Sequence, residues 1–178
     1  MMQTTRRNKQ AGLSLIELLG TVSIIAVVNA LAAPTLGETF KRNHLRSQAE
    51  QVMTTLTLAR SEAVKRNQPV SICRSEDGET CGGSWSDGWI VFANLDGDDV
   101  VDLGVDEVIR VYEGLAEGHS FKGTVANEAL TYFADGSYAA GSDTVRICSE
   151  DGDLVQSWTV KVNAVGRPRV NKGASSCE

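Results

Sequence analysis

Four cationic side chains stand close together near the end of the chain, in the segment KVNAVGRPRVNKG at residues 161–173. They are Lys161, Arg167, Arg169 and Lys172, and the segment contains no acidic residue. Guanidinium groups pair well with phosphate oxygens, and lysine supplies a compact positive charge. Because Pro168 holds the backbone extended between the two arginines, both side chains can project outward. In a chain of net charge −6, this cluster predicts a local phosphate-binding surface.

The residues around this cluster also bear on how it is presented. Gly166 permits a tight approach of the backbone to a neighbouring segment. In SWTVKV, Trp158, Val160 and Val162 alternate toward a core, so that Thr159 and Lys161 face outward. The alternative role for the two arginines is structural, in which they form ion pairs with the acidic loops and bind no ligand.

Motifs for other chemistry are missing from the sequence. It has no nucleophile elbow, HExxH motif or P-loop. Neither of the two histidines, His44 and His119, has a motif partner, and His119 is expected in a loop. We therefore predict that the protein is not an enzyme and needs no cofactor, which disfavours a surface or peptidoglycan enzyme.

An Asp-rich stretch, NLDGDDVVDLGVDE at residues 94–107, loosely resembles a calcium-binding loop. The spacing of an EF-hand fails, because Asp99 stands where glycine is required and Val105 where the bidentate glutamate belongs. We expect a solvated hairpin loop and no metal site. Asp96, Asp98 and Asp102 are the side chains that would act as ligands if a metal were bound.

Four cysteines are present, and they permit three disulfide pairings. Cys73 and Cys81 are close in sequence and bracket a turn, which favours a bond between them. Cys148 and Cys177 would then tie the C-terminal tail to the sheet. Zinc binding is the alternative, but the spacings lack the usual CxxC ligand pairs.

An apolar segment of membrane-crossing length runs from Leu13 to Leu36 and contains one charge, Glu17. Arg6, Arg7 and Lys9 precede it, which predicts a cytoplasmic N-terminus with the rest of the chain outside the inner membrane. A cleavable secretory signal peptide is the alternative. Glu17 argues against it, because an acid inside a membrane segment usually has a functional partner.

Beyond this segment, we expect the helix to kink at Pro34, to resume near Glu38 and to continue as an amphipathic helix over residues 37–68. Asn67 and Pro69 end it. Its apolar stripe is Leu45, Ala49, Val52, Met53, Leu56, Ala59 and Ala63.

From residue 69 to residue 178, alternating apolar residues and Asp-Gly turns predict an antiparallel β domain. The strands are expected at Val70–Cys73, Gly88–Ala93, Val108–Glu113, Leu130–Phe133, Thr144–Cys148 and Ser157–Val162. The fold class is therefore α+β, with a long N-terminal helix packed on an antiparallel sheet.

The stretch GLSLIELL resembles the leader of type IV pilins and of type II secretion pseudopilins. The resemblance implies that residues 1–12 are a leader, which a prepilin peptidase removes after Gly12, and that the new N-terminal residue, Leu13, is methylated. The family usually has phenylalanine where this chain has Leu13. It also implies that Glu17 pairs with the amine of a neighbouring copy and so sets the register between assembled pilins.

Two further stretches, ARSEAVKRNQPVSIC and GWIVFANLDGDDVVD, resemble the FimT/GspH group of minor pilins and pseudopilins. GRPR resembles the GRxR motif of FimT-type minor pilins, which implies that Arg167 and Arg169 bind double-stranded DNA during uptake. Lys161 and Lys172 join them on physical grounds. The function expected is that of an inner-membrane protein with a periplasmic C-terminal domain, which moves into a pilus fibre and captures extracellular DNA. The alternative is a GspH-type minor pseudopilin, a structural part of a type II secretion system with no nucleic-acid role.

Overall fold

The structure, a computed structural model, describes residues 14–102, 104–115, 119–123, 129–149 and 152–177. In these residues one helix, α1 (Leu15–Arg66), precedes eight strands. The strands are β1 (Val70–Arg74), β2 (Gly88–Ala93), β3 (Glu107–Glu113), β4 (His119–Gly123), β5 (Ala129–Tyr132), β6 (Asp143–Ser149), β7 (Trp158–Val162) and β8 (Pro168–Lys172). The chain divides into two compact units, Met1–Phe40 and Lys41–Glu178.

The first unit contains the N-terminal part of α1. Its large apolar side chains from Leu15 to Val28 are 53–76% exposed. Glu17 lies in the first turn of the helix, where a negative charge interacts favourably with the helix dipole. Within the described residues, no helix combines the length and apolarity needed to cross a membrane. Leu13, the predicted start of the membrane segment, lies outside these residues.

The predicted interruption of the helix between Pro34 and Glu38 is wrong. Residues 34–38 are helical, and α1 is continuous to Arg66. A proline removes one backbone hydrogen bond and crowds the preceding turn. The loss of that one bond does not stop the helix, because the turns on both sides propagate it cooperatively.

In the second unit, the helix buries the stripe that its periodicity predicted. Leu45, Ala49, Val52, Leu56, Ala59 and Ala63 are each at most 4% exposed. Met53, which was predicted to share this stripe, is 36% exposed and lies at its edge. The helix ends as expected, with Asn67 in the left-handed conformation at a φ of 54° and the Gln68 amide donating to the carbonyl of Ala63 at 3.3 Å.

Two antiparallel four-stranded sheets complete the second unit. The first has the order β3-β2-β1-β5 and the second β4-β6-β7-β8. The helix stripe packs with inward-facing residues of both sheets, and the largest fully buried side chains are Trp89 and Tyr132. The α+β class expected from the sequence is confirmed. The predicted β domain is therefore two small sheets in one unit with the C-terminal half of the helix.

The outer face of the first sheet is covered by the acidic loop between β2 and β3. One oxygen of Asp99 accepts hydrogen bonds from Ser71 at 3.1 Å, Asn94 at 2.9 Å and Thr131 at 2.5 Å. Val101 packs nearby in a second apolar cluster that contains Cys73 and Phe92. The loop is therefore fixed to the sheet, while the neighbouring Asp96 and Asp98 remain exposed.

Strands β4 and β8 were not predicted. The sequence of β4, HSFKG, has little apolar alternation, and β8 begins with a proline in a segment that was interpreted as a basic tail. Both strands lie at the edges of the second sheet, with β4 paired to β6 and β8 paired to β7. His119 therefore belongs to a strand and not to a loop. A proline is compatible with the first residue of an edge strand.

Candidate nucleic-acid interface

The basic residues predicted to bind phosphate lie on and around the hairpin of β7 and β8. Lys161 is on β7, Arg169 and Lys172 are on β8, and Arg167 is in the connecting loop. All four are exposed. Strand pairing places Lys161 directly opposite Arg169. The hairpin therefore brings together residues that are 8 positions apart in sequence.

The connecting loop depends on Gly166 and Asn163. Gly166 has a φ of 73° and donates its amide to the Asn163 carbonyl at 2.8 Å. The Asn163 side chain accepts from the amide of Arg167 at 2.9 Å. A Cβ atom at Gly166 would lie 2.1 Å from the carbonyl oxygen of Gly136. The glycine of GRPR is thus required by the close approach of two loops. Arg167 lies in the loop that this glycine fixes, and Arg169 lies on the strand that follows it.

Two cross-strand rows of side chains form the outer face of the second sheet, on the side away from the core. In one row, Arg146 lies opposite Thr159 and Thr159 lies opposite Asn171. In the next row, Thr144 lies opposite Lys161 and Lys161 opposite Arg169. Each of the six residues in these rows is either a cation or a neutral polar residue.

A shallow groove follows this face, and we call it the basic groove. It is lined by Thr144, Arg146, Thr159, Lys161, Asn171, Lys172, Gly173 and Ser175. Lys172 lies at the rim of the groove. It is paired with Trp158, so its strand position belongs to the other face of the sheet from Arg169 and Asn171. Sequence reasoning missed Arg146. The signal was present, since Val145 and Ile147 are buried on either side and alternation turns Arg146 outward.

None of these cations forms an ion pair within the part of the chain that the structure describes. The ion pairs found there involve Arg46, Lys65 and Arg66, all of which lie on the helix. Arg66 bridges Glu62 at 2.7 Å and Glu107 at 2.7 Å. Within these residues, the positive charge of the groove is therefore available to an anion from outside the chain. The alternative role for the two arginines, ion pairing with the acidic loops, is not observed in this part of the chain.

Both disulfides join the pairs that the sequence favoured, Cys73 with Cys81 and Cys148 with Cys177. The second bond returns the C-terminal tail to the end of β6. Thr159 donates its hydroxyl to the Gly173 carbonyl at 2.6 Å, and the Gly173 amide donates to Ser157 at 2.8 Å. The tail therefore lies against the outer face and forms one side of the basic groove.

Three aspartates of the acidic loop come together as their sequence spacing allowed. Carboxylate oxygens of Asp96, Asp98 and Asp102 lie within 4.8 Å of one another, and all three side chains are exposed. The charge of Asp98, followed by desolvation and the charge of Asp96, raises the pKa of Asp102 above its usual value. Surface carboxylates commonly cluster without a metal, and Asp99 anchors the loop by accepting hydrogen bonds from Ser71, Asn94 and Thr131.

The other residues considered in the sequence belong to other elements of the chain or lie outside the described residues. Gly12 and Leu13, the predicted cleavage site, lie outside the described residues, and Glu17 lies in the first turn of α1. His44 and His119 are neighbours, with ring centroids 5.3 Å apart, which their positions in the sequence did not indicate.

Comparisons with known proteins agree with this architecture. A family model described as "Type II transport protein GspH" matches residues 48–166. The type IV minor pilin FimU of Pseudomonas aeruginosa is 26% identical, with a TM-score of 0.63 over 77% of this chain and 97% of FimU. The minor pseudopilin EpsH of the Vibrio cholerae type 2 secretion system shares the fold at 16% identity, with a TM-score of 0.50 over 72% of this chain and 97% of EpsH. No curated protein sequence matches the chain.

Proposed function

Because the chain belongs to the GspH family, which includes minor pilins and minor pseudopilins, we propose that it is a minor pilin of a type IV pilus and binds extracellular duplex DNA without sequence preference. The family match and the similarity to FimU support the pilin role. The DNA-binding role rests on the basic groove and on Arg167 and Arg169. In this proposal, DNA binding is a function of the C-terminal unit, in addition to the assembly role of the N-terminal helix.

Assembly in this proposal uses the N-terminal helix. A prepilin peptidase removes residues 1–12 and exposes Leu13, while residues 13–36 anchor the protein in the inner membrane with its C-terminal domain in the periplasm. The apolar side chains from Leu15 to Val28, more than half exposed, then pack against the helices of other pilins in the fibre. Glu17 supplies the carboxylate that pairs with a neighbour's N-terminal amine.

The observation that carries DNA binding is a set of exposed cations without carboxylate partners among the described residues. Arg167, Arg169 and Lys161 are each exposed, and each lies on or next to one hairpin. If two to four phosphates are contacted, the dissociation constant of one subunit is about 10⁻⁴–10⁻⁶ M and rises steeply with salt. Several copies in one fibre would increase the apparent affinity.

A second candidate function is favoured by the description of the matching family, which refers to type II transport. A minor pseudopilin of the GspH type would use the same fold and the same N-terminal helix as a structural part of a secretion system. It would have no use for the exposed arginines Arg167, in the loop between β7 and β8, and Arg169, on β8. The two candidates therefore differ in what they predict for binding to DNA.

The test is a fluorescence-anisotropy titration of the full chain, purified in a neutral detergent, against a labelled 30-base-pair duplex. We expect an Arg167→Ala/Arg169→Ala double variant to bind at least about ten-fold more weakly, since charged hydrogen bonds to two phosphates are lost. An Arg110→Ala/Lys65→Ala variant loses the same net charge away from the hairpin and is the matched control. Equal binding by the two double variants would refute the site, and no binding by the unmodified chain would favour the secretion role.

A further inference from the structure

The cross-strand pair formed by Lys161 and Arg169 is unfavourable for folding. Directly opposed residues in an antiparallel pair place their Cβ atoms about 4.5–5.5 Å apart, and like charges at that separation destabilise a sheet. Arg146 adds a third cation one row away, diagonal to Lys161. The polar neighbours Thr144, Thr159 and Asn171 carry no negative charge to offset the three cations.

An anion between the two rows would relieve this repulsion. The hydroxyl groups of Thr144 and Ser175 and the amide of Asn171 line the same groove, and neutral donors of this kind bind phosphate oxygens alongside arginine and lysine. The groove thus combines cations, neutral donors and a concave shape.

We propose that the basic groove is a phosphate-binding track for duplex DNA, and that Arg146 is the contact at its far end from Arg167 and Arg169. This inference rests on the proposed function and extends it. The phosphate backbone runs across β8, β7 and β6, whose neighbours lie about 4.8 Å apart, so the track spans roughly 10 Å, about 5 Å more than the contact made by the β7–β8 hairpin. Arg146 is a residue that the GRPR motif does not include.

The composition of the track favours duplex over single-stranded DNA. Proteins that hold single strands without sequence preference stack bases on aromatic side chains. The two outer rows consist of Thr144, Arg146, Thr159, Lys161, Arg169 and Asn171, none of which is aromatic. Contacts made only to phosphates use the high charge density of a duplex.

The tail that forms one side of the groove is fixed by the bond between Cys148 and Cys177. Cys148 lies two residues from Arg146 on β6, so the tail lies beside the row that contains Arg146. Ser175, two residues before Cys177, lines the groove itself. The disulfide therefore holds one side of the track in place.

The test compares single variants of the full chain in the same duplex titration, at two or more salt concentrations. We expect Arg146→Gln to weaken binding by about three- to ten-fold and to reduce the slope of log K against log salt by about 0.9, the value for one lost phosphate contact. Arg110→Gln removes the same charge from β3 and should change neither quantity. A single strand of equal length should bind more weakly than the duplex.

A second variant separates a binding role from a folding role. Lys161→Thr removes the like-charge pair, and we expect a melting temperature equal to or higher than that of the unmodified chain, together with weaker duplex binding. Unchanged affinity in Arg146→Gln, with binding still lost in Arg167→Ala/Arg169→Ala, would overturn the track and leave the proposed function intact. Tighter binding of the single strand would also overturn it, and no binding by the unmodified chain would reject both.

Discussion

Gly166 provides a quantitative test of how the hairpin that carries the arginines is held. Its φ of 73° is left-handed, which costs an ordinary residue about 1–2 kcal/mol. A Cβ atom there would lie 2.1 Å from the Gly136 oxygen and 2.9 Å from Cε1 of Tyr132. The first contact is to backbone, so the two loops must separate, and such overpacking costs about 1–3 kcal/mol more. Gly166→Ala should therefore lose about 2–5 kcal/mol of unfolding free energy.

Gly141 supplies the matched control for this substitution. Its φ of 75° is nearly the same, but nothing lies within 4 Å of the position that a Cβ would occupy. Gly141→Ala should lose only the conformational cost of about 1–2 kcal/mol. The difference between the variants, measured by urea unfolding at constant m-value, reports the steric contacts of the added Cβ, of which the one with the Gly136 carbonyl is the shortest. Equal losses in the two variants would refute the close approach of the loops.

Two other predictions concern stability. Replacing Cys148 and Cys177 together by alanine should cost about 3–4 kcal/mol in the chain-entropy model, because the bond closes a loop across 29 positions; urea unfolding of oxidised and variant chains measures this. Hydrogen bonds from Arg66 lower the pKa of Glu62 and of Glu107. The two ion pairs therefore stabilise the folded state fully above the pKa of an unfolded glutamate, about 4.3, and this stabilisation is lost as the pH falls through the lower pKa values of the folded state. The stability difference between the unmodified chain and Arg66→Met, measured from pH 6 to pH 3, should therefore shrink with acidity, and a constant difference would contradict it.

Much of the second unit could be predicted because burial follows periodicity. The stripe from Leu45 to Ala63 and the bounds of β2 at Gly88–Ala93 matched the structure. Apolar alternation found the strands that fill the core. It missed β4 and β8, which lie at sheet edges and are held by backbone pairing to one neighbour. The helix is also continuous through Pro34, although the sequence predicted an interruption there. The hydrogen bond that proline removes is outweighed by the helical turns on both sides.

The basic groove could be predicted only in part. Lys161 and Arg169 were recognised from their charge and position, but their direct opposition depends on the register of β7 and β8. Arg146 was assigned to a strand without its relation to the hairpin, since sequence alternation gives the face of a residue and does not give the neighbouring strand. The grouping of His44 with His119 likewise depends on how the helix and β4 pack.

The most direct test of the central claim, that this pilin-like protein binds the phosphate backbone of DNA, is the salt dependence of duplex binding by the full chain. With two to four phosphates neutralised, log K should fall linearly with log salt, at a slope between about −1.8 and −3.6. The slope should be the same for duplexes of different sequence. A slope near zero, a marked sequence preference or no binding at low salt would contradict the claim.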